Sequence, residues 1–318
     1  MTGPTQHPMQ ADPSIPSIAP ILRPGGVTNG TCFISGRAAL GCLLDNMSRP
    51  FRRAFIPIFT CNTVLEPFRR RGISIMRYRV NKQLTPEIPD FITEDDLLLA
   101  TNYFGLTGSD VAQLCASHPG PVIVDAATAL YAAAPAGVPV FYSPRKFCHA
   151  PHGGLAVSPE ALTTLPPQQG QLPVYPARLS PALRIFRQER ELRHREELLS
   201  SAGRAKLAQF DWAADEAQRR RHYAILHAAL KDINRLHLPD EAPCGPMCYP
   251  LLTGIPNLRD ELADAGLRLP LYWPEVIHRT TAIDAENILA RHILPLPLGP
   301  HLHEETIHHI IASILGTA

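Results

Sequence analysis

With 318 residues, 45% of them hydrophobic, the chain is long enough for one large core with a smaller domain appended. Its 30 Lys and Arg balance 29 Asp and Glu to a formal charge of +1, which argues against a general electrostatic partner such as nucleic acid or an anionic membrane. No apolar run approaches the roughly 20 residues needed to span a bilayer, and seven scattered cysteines fit reduced thiols and a cytoplasmic location better than a disulfide framework.

Pro4, Pro8, Pro13, Pro16 and Pro20 punctuate a start without the basic and apolar regions of a signal peptide, so residues 1–22 read as a loose arm. From residue 35 to about 160 short apolar runs alternate with helical segments, which predicts a mainly parallel sheet covered by helices on both faces. Ser35 to Met47 reads as a helix packed through Ala38, Ala39, Leu40 and Leu43. A strand at Ala54 to Ile58 and a helix from Asn62 to Arg70, stopped at Gly72, follow it. Further strands are predicted at Ile73 to Val80, Leu97 to Asn102, Val122 to Asp125 and Val138 to Tyr142. Asn102, Asp125 and Ser143 then lie at carboxyl ends of strands, where α/β sheets bind ligands. Repeated Pro and Gln between Ser158 and Ala182 mark a connection. Leu183 to Leu230 reads as a long charged helical region broken near Gly203. The remainder alternates strands (Met247 to Leu252, Leu269 to Tyr272, Ile293 to Leu296) with helices (Asn257 to Ala265, Glu304 to Leu315), the pattern of a small α+β domain.

Two residues suit imine chemistry on a cofactor aldehyde. Lys146, after a Ser-Pro turn and before the Gly153-Gly154 pair, supplies an amine that forms and exchanges an imine; Asp125, ending a buried strand, supplies an acid to keep a pyridine nitrogen protonated. Taken singly, the aspartate also reads as a turn or capping residue and the lysine as a solvated charge. Ser35-Gly36-Arg37-Ala38-Ala39 opens a helix whose amides and dipole suit a phosphate, although Ser-Gly before a helix is also an ordinary N-cap.

The ordered combination resembles the DegT/DnrJ/EryC1/StrS family of fold-type-I pyridoxal-phosphate (PLP) aminotransferases. It is carried by Ser35-Gly36-Arg37-Ala38-Ala39-Leu40, Ile56-Pro57-Ile58-Phe59-Thr60-Cys61-Asn62-Thr63-Val64, Asn102-Tyr103-Phe104-Gly105, Val124-Asp125-Ala126-Ala127-Thr128-Ala129, and Ser143-Pro144-Arg145-Lys146 running on to Gly153-Gly154. Fainter matches continue through Arg219 to Tyr223, Leu271-Tyr272-Trp273-Pro274 and Leu294-Pro295-Leu296-Pro297. The resemblance implies an α/β chain of PLP-transferase fold type I, with a PLP-binding large domain over 23–180 and a long helix plus small C-terminal α+β domain over 181–318. It implies that Gly36, Arg37 and Ala38 meet the cofactor phosphate together with Ser143, that Asp125 pairs with the pyridine nitrogen, that Thr128 lies near the ring hydroxyl, and that Lys146 forms the Schiff base and shuttles a proton. Its cofactor would be pyridoxal 5'-phosphate, its partners a small-molecule amino donor such as glutamate and a keto acceptor, a nucleotide-linked keto sugar among them, and its assembly a homodimer.

The sequence departs from the family at three places. Arg37 replaces a small hydroxylated residue, and its guanidinium suits an added bidentate phosphate contact. Cys61 falls where the family has the aromatic that stacks on the ring. The Asp125 to Lys146 interval, like the chain, is short. These departures motivate a second reading, a non-enzymatic binding or regulatory module that keeps the fold; a PLP enzyme of the elimination type is a third, disfavoured because such members replace the lysine. Elsewhere, His149 and His152 read either as solvated loop residues or as site neighbours. Cys244, Cys248 and His237 lack the spacing of a zinc site. Arg219, Arg220 and Arg221 read by default as a solvated helix face, with a nucleotide diphosphate as the sharper alternative, and His301, His303, His308 and His309 take no role.

Overall fold

The computed structural model describes residues 30–148, 150, 152–170, 183, 187 and 190–316. The arm expected over 1–22, His149, and most of the connection between 171 and 189 lie outside the described residues.

Eight strands form one sheet: β1 (Gly30–Phe33), β2 (Arg53–Pro57), β3 (Ser74–Val80), β4 (Pro86–Glu87), β5 (Asp96–Thr101), β6 (Val122–Ala126), β7 (Val140–Tyr142) and β8 (Gly154–Val157). Their order is β1-β8-β7-β6-β5-β2-β3-β4. The central run β3-β2-β5-β6-β7 is parallel, and both flanks turn antiparallel, β7 to β8 and β8 to β1 on one side and β3 to β4 on the other. Every residue of β5 and β6 is buried, as expected of strands covered on both faces. The apolar runs Leu97-Leu98-Leu99-Ala100 and Val122-Ile123-Val124 meet that demand with no polar alternation, so Asp125 enters the core only because it stands at a strand's carboxyl end.

Between the strands lie α1 (Gly36–Asp45), a single 3-10 turn over Asn62–Val64 leading into α2 (Leu65–Arg70), α3 (Gly108–Ser117) and the short α4 (Arg145–Cys148). The apolar face of α1, Ala38, Ala39, Leu40 and Leu43, is buried against the sheet. At an order of 25 cal/mol per Å² of apolar surface, four such side chains supply several kcal/mol of the docking free energy.

The C-terminal part begins with α5 (Ser201–Ala208) and α6 (Trp212–Leu230) and continues through β9 (Cys248–Leu252), α7 (Leu258–Asp264), α8 (Ala285–His292), β10 (Ile293–Pro297) and α9 (Glu304–Leu315). β9 and β10 pair antiparallel. Two expectations are corrected here. The expected helical region is interrupted at 193–200 and again at 209–211 rather than at Gly203: Ser200 caps α5 by accepting from the Gly203 amide, and Asp211 caps α6 by accepting from Ala214, so the two capping side chains set where the helices start and the glycine sits in the first turn. Leu269 to Tyr272 is not a strand. Its backbone is held by Arg259, whose guanidinium donates to the Leu269, Pro270 and Ile293 carbonyls, and Pro270 removes a ladder donor. No helix among the described residues is long and apolar enough to cross a membrane.

Candidate functional site

The strand order places the carboxyl ends of β2, β5, β6 and β7 side by side, with the amino end of α1 beside them. A small cleft, with a cavity volume of about 50 Å³, opens there, lined by residues of the Ser35 to Leu40 turn, Cys61, Thr63, Val64, Ala127, Phe141, Ser143, Arg145 and Lys146. Ser35 is the N-cap of α1; its Oγ accepts from the Ala38 amide at 3.2 Å. Gly36 and Arg37 therefore face the cleft, while the Ala38 amide is already engaged and the Ala38 side chain is fully buried. The turn is reached closely by β8: a Cβ on Gly154 would lie 2.0 Å from the Ser35 carbonyl oxygen, so no other residue fits that position. The Gly153-Gly154 pair thus holds the N-terminus of α1 against Ser143 and Lys146.

Asp125, 5% exposed, is the penultimate residue of β6, and among the described residues its carboxylate accepts one hydrogen bond, from the Ala127 amide to Oδ1 at 2.9 Å. Burial pushes its pKa up, opposed by the positive charge of Lys146 and by the Ala127 bond. Lys146 sits on α4, whose first turn is tied back by its own amide donating to the Ser143 carbonyl at 3.0 Å. A buried acid that holds its proton more tightly than usual and a lysine at the cleft wall whose charge opposes that shift are coupled electrostatically.

Thr128 lies outside the cleft wall. Its Oγ1 donates to the Asn102 carbonyl at 3.1 Å and accepts from the Phe104 amide at 3.2 Å, which fixes the Asn102 to Gly105 loop at the end of β5. Phe104 and Gly105 both take positive φ, 59° and 84°, in that loop; a bulky residue at positive φ is a costly conformation that the surrounding bonds must hold. Phe104, Phe59 and Tyr103 then pack on Trp273, with ring centroids 4.7 to 5.8 Å away. This aromatic cluster fastens the Leu271 to Pro274 segment to the strand ends.

Arg37 does not offer its guanidinium to the cleft alone: Nη1 meets Glu66 Oε2 at 2.8 Å, with the pair about nine-tenths buried, and the other Glu66 oxygen takes Arg193. That ion pair compensates the buried Glu66 and fixes one side of the guanidinium, while Arg37 still lines the cleft. Cys61, at the family's stacking position, lies 2.8 Å from Thr63 Oγ1 and presents no ring face.

Arg219 is not a solvated residue. It is 4% exposed, its Nε meets Asp215 Oδ2 at 2.8 Å, and its terminal nitrogens donate to the Pro246, Met247 and Phe147 carbonyls, with the guanidinium carbon 4.8 Å from the centre of the Phe147 ring. Tyr131 donates a further bond to Asp215, and burial with this acid raises the phenol's pKa. The helix α6 is thereby clamped to the residue after Lys146. Arg220 and Arg221 do lie on the exposed side, paired with Glu216 and Glu304. His152 is half-buried beside the same turn; burial, then Arg145, Arg195 and Lys206, push its pKa down to about 4, so it is neutral at pH 7. No group of three metal-ligating side chains occurs among the described residues.

Sequence reasoning missed Arg145 and Thr63 as cleft-wall residues and passed over Arg77 and Arg279 beside it. The signal for Arg77 was present: an arginine inside a parallel strand needs a reason to be there.

Comparison with known proteins gives a consistent picture. No family model matches the chain. The erythromycin biosynthesis sensory transduction protein EryC1 of Saccharopolyspora erythraea is 28% identical over 138 residues, and the match spans 39% of this chain and 37% of that protein. Among solved structures, the sugar aminotransferase CalS13 of Micromonospora echinospora superimposes with a TM-score of 0.64 at 17% identity, covering 91% of this chain and 87% of the other. NtdA of Bacillus subtilis, with bound cofactor PMP, superimposes with a TM-score of 0.62 at 13% identity, covering 91% and 73%. The chain therefore has PLP-transferase fold type I.

Proposed function

We propose that the chain is a PLP-dependent aminotransferase, which takes an amino group from an amino-acid donor such as glutamate and passes it to a keto acceptor of the nucleotide-linked keto sugar class. The observation that carries this reading is that Lys146, on the wall of the cleft that also holds the amino end of α1, lies near enough to the buried Asp125, 21 positions earlier, for its charge to act on that acid. The similarity to EryC1 and to CalS13 supports the same reading, and the sugar class rests on what those proteins are called.

The residues present fit the cofactor at its phosphate, its pyridine nitrogen and its covalent link, while the Thr128 hydroxyl is engaged by backbone groups. Gly36, Arg37 and Ser143 would receive the phosphate at the helix N-terminus, the first two through their backbone. Asp125 would hold the pyridine nitrogen, and its raised pKa reflects a buried carboxylate with room for one more donor. Lys146 would carry the cofactor covalently. The ring face is the poor contact, since Cys61 offers a thiol where a ring is expected. When bound, PLP supplies an electron sink for the carbon that gains or loses its proton.

The chain's own groups then have distinct tasks. Lys146 Nζ moves the proton between cofactor and substrate carbons, which requires it to be neutral at that moment. Asp125 would pair with the cofactor's pyridine nitrogen and hold a proton there, and the buried surroundings would strengthen that pairing relative to water. Thr128, Asn102 and Phe104 hold the neighbouring strand end still. The reading includes a cytoplasmic homodimer and excludes nucleic acid and membrane as partners.

Incubation of purified protein with PLP should give a visible absorption band that borohydride fixes, that glutamate bleaches, and that Lys146→Ala lacks. A band that forms but does not respond to any amino donor would leave a cofactor-binding module without transamination.

A further inference from the structure

Two arginines on one face of β3 have opposite surroundings. Arg79 makes a bidentate pair with Glu286, which is fully buried, and reaches Asp284 as well. Arg77, two residues earlier and half-buried, has a single hydrogen bond, to the Pro57 carbonyl at 2.8 Å. Arg279, also half-buried, comes from the segment after the 3-10 turn Pro274–Val276 and donates to the Thr60 carbonyl at 2.7 Å and to its own Glu275 carbonyl at 3.3 Å. Its Nη1 is buried with no partner. Arg69 on α2 stands at the same place: burial, then Arg279 and Arg69, push the Arg77 pKa down to about 10, and burial, opposed by Glu275 and aided by Arg69, lowers that of Arg279. Among the described residues no carboxylate lies within ion-pair distance of Arg69, Arg77 or Arg279. The acid facing them, Glu275, has its Oε1 engaged by the Asn62 amide at 2.5 Å.

The guanidiniums of Arg37, Arg71 and Arg195 each meet a carboxylate, and Arg259, whose Nε also lacks a partner among the described residues, meets three backbone carbonyls with no second cation acting on it. Gathering three like charges, two of them partly out of water, is unfavourable unless an anion completes the set. The cluster's position says which anion. Arg279 is anchored on Thr60 and Arg77 on Pro57, at the strand end and turn that lead to Cys61 on the wall of the candidate cofactor cleft.

We propose that Arg77 and Arg279, with Arg69 at the rim, form an oxyanion site beside the cofactor cleft that receives a carboxylate or phosphate group of a substrate while its reacting atom lies at Lys146. The assignment rests on the aminotransferase reading for the word substrate; the binding of the anion does not. Two sources share this chemistry, the distal carboxylate of a dicarboxylic amino donor and the diphosphate of a nucleotide-linked acceptor, and arginine forks suit both.

The test is a titration of the full chain, saturated with PLP, with glutarate in one arm and inorganic pyrophosphate in the other, read by heat. At least one arm should saturate. Arg77→Gln and Arg279→Gln should each weaken that arm by about tenfold or more, Arg77→Lys should retain most of the affinity, and Arg291→Gln, on the exposed side of α8, should leave it unchanged. A saturating glutarate arm assigns the site to the donor, and a saturating pyrophosphate arm to the acceptor. Without added anion, Arg77→Gln should keep or raise the melting temperature, because it removes repulsion. A fall of several degrees would mean that Arg77 is structural and would overturn the proposal, as would variants that bind like wild type, or a wild type that binds neither anion. Repeating the titration in Lys146→Ala separates the two ideas: there the anion should still bind even though the covalent cofactor link is gone.

Discussion

Two buried aspartates flank the turn that carries Lys146, and they are built for opposite purposes. Asp215 gives one oxygen to both Arg219 and Tyr131, and the arginine goes on to three backbone carbonyls and a ring face. Asp125 has one backbone bond and a lysine that acts on it through charge without a hydrogen bond among the described residues. Burial is nearly the same in the two cases, 1% against 5% exposed. What separates a structural acid from a candidate working one is therefore the kind of partner: Asp215 already has a guanidinium to neutralise it, although its Oδ1 is buried without a hydrogen bond among the described residues, whereas Asp125 is held by an amide and by the charge of a lysine alone.

The sharpest way to break that comparison is to neutralise each acid in turn. Asp125→Asn should reduce turnover on the order of 10²- to 10³-fold by removing a preorganised charge, while the cofactor-free protein keeps its melting temperature. Asp215→Asn should do the reverse. It leaves Arg219 buried and uncompensated, at a cost of about 3–5 kcal/mol in chemical denaturation, with any surviving folded protein still forming its lysine-dependent absorption band. Equal stability losses in both variants would erase the distinction.

A pH series sharpens it further. Asp125 holds its proton more tightly in the fold than in the unfolded chain, so the native state binds more protons and the cofactor-free fold loses stability as pH rises through that range; Asp125→Asn should flatten this part of the curve, and PLP should do the same in wild type. His152 acts in the other direction. Its native pKa of about 4 lies below the ordinary 6.5, so the unfolded chain binds the extra proton and stability falls as pH drops from about 6.5 to about 4. Melting curves of His152→Asn should show a shallower fall across that window. A smaller effect is expected at the ring face: Cys61→Phe should tighten PLP binding by a few-fold, in line with roughly 0.5–1.5 kcal/mol for a ring pair, and unchanged affinity would mean that the cofactor's face is covered from elsewhere.

The large sheet was legible because its strands are buried on both faces and bounded by turn residues, and because strand ends are where an α/β sheet exposes its backbone. Ser35, Gly36, Asp125, Ser143 and Lys146 follow from that rule, together with the ordered motifs that carry them. The partners of Arg37 and Arg219 were not legible. Glu66 lies 29 positions from Arg37, and the Arg219 carbonyls are supplied by residues 147, 246 and 247; periodicity assigns a residue to a face of its helix but does not tell what covers that face. Thr128 shows the same limit, since its hydroxyl is taken by two backbone groups of a loop that only the folded chain brings to it. The error at Gly203 was one of local chemistry, because the Ser200 and Asp211 caps outweigh a glycine that lies inside the first turn.

The central claim is that Lys146 and Asp125 act on one bound cofactor, and it is tested most directly by the visible spectrum of PLP-treated protein as a function of pH, in wild type, Lys146→Ala and Asp125→Asn. The account predicts a borohydride-fixable band that disappears in Lys146→Ala, and that persists in Asp125→Asn with altered position and slower bleaching by glutamate. A band that survives in Lys146→Ala, or one that Asp125→Asn leaves unchanged in position and in bleaching rate, would contradict it.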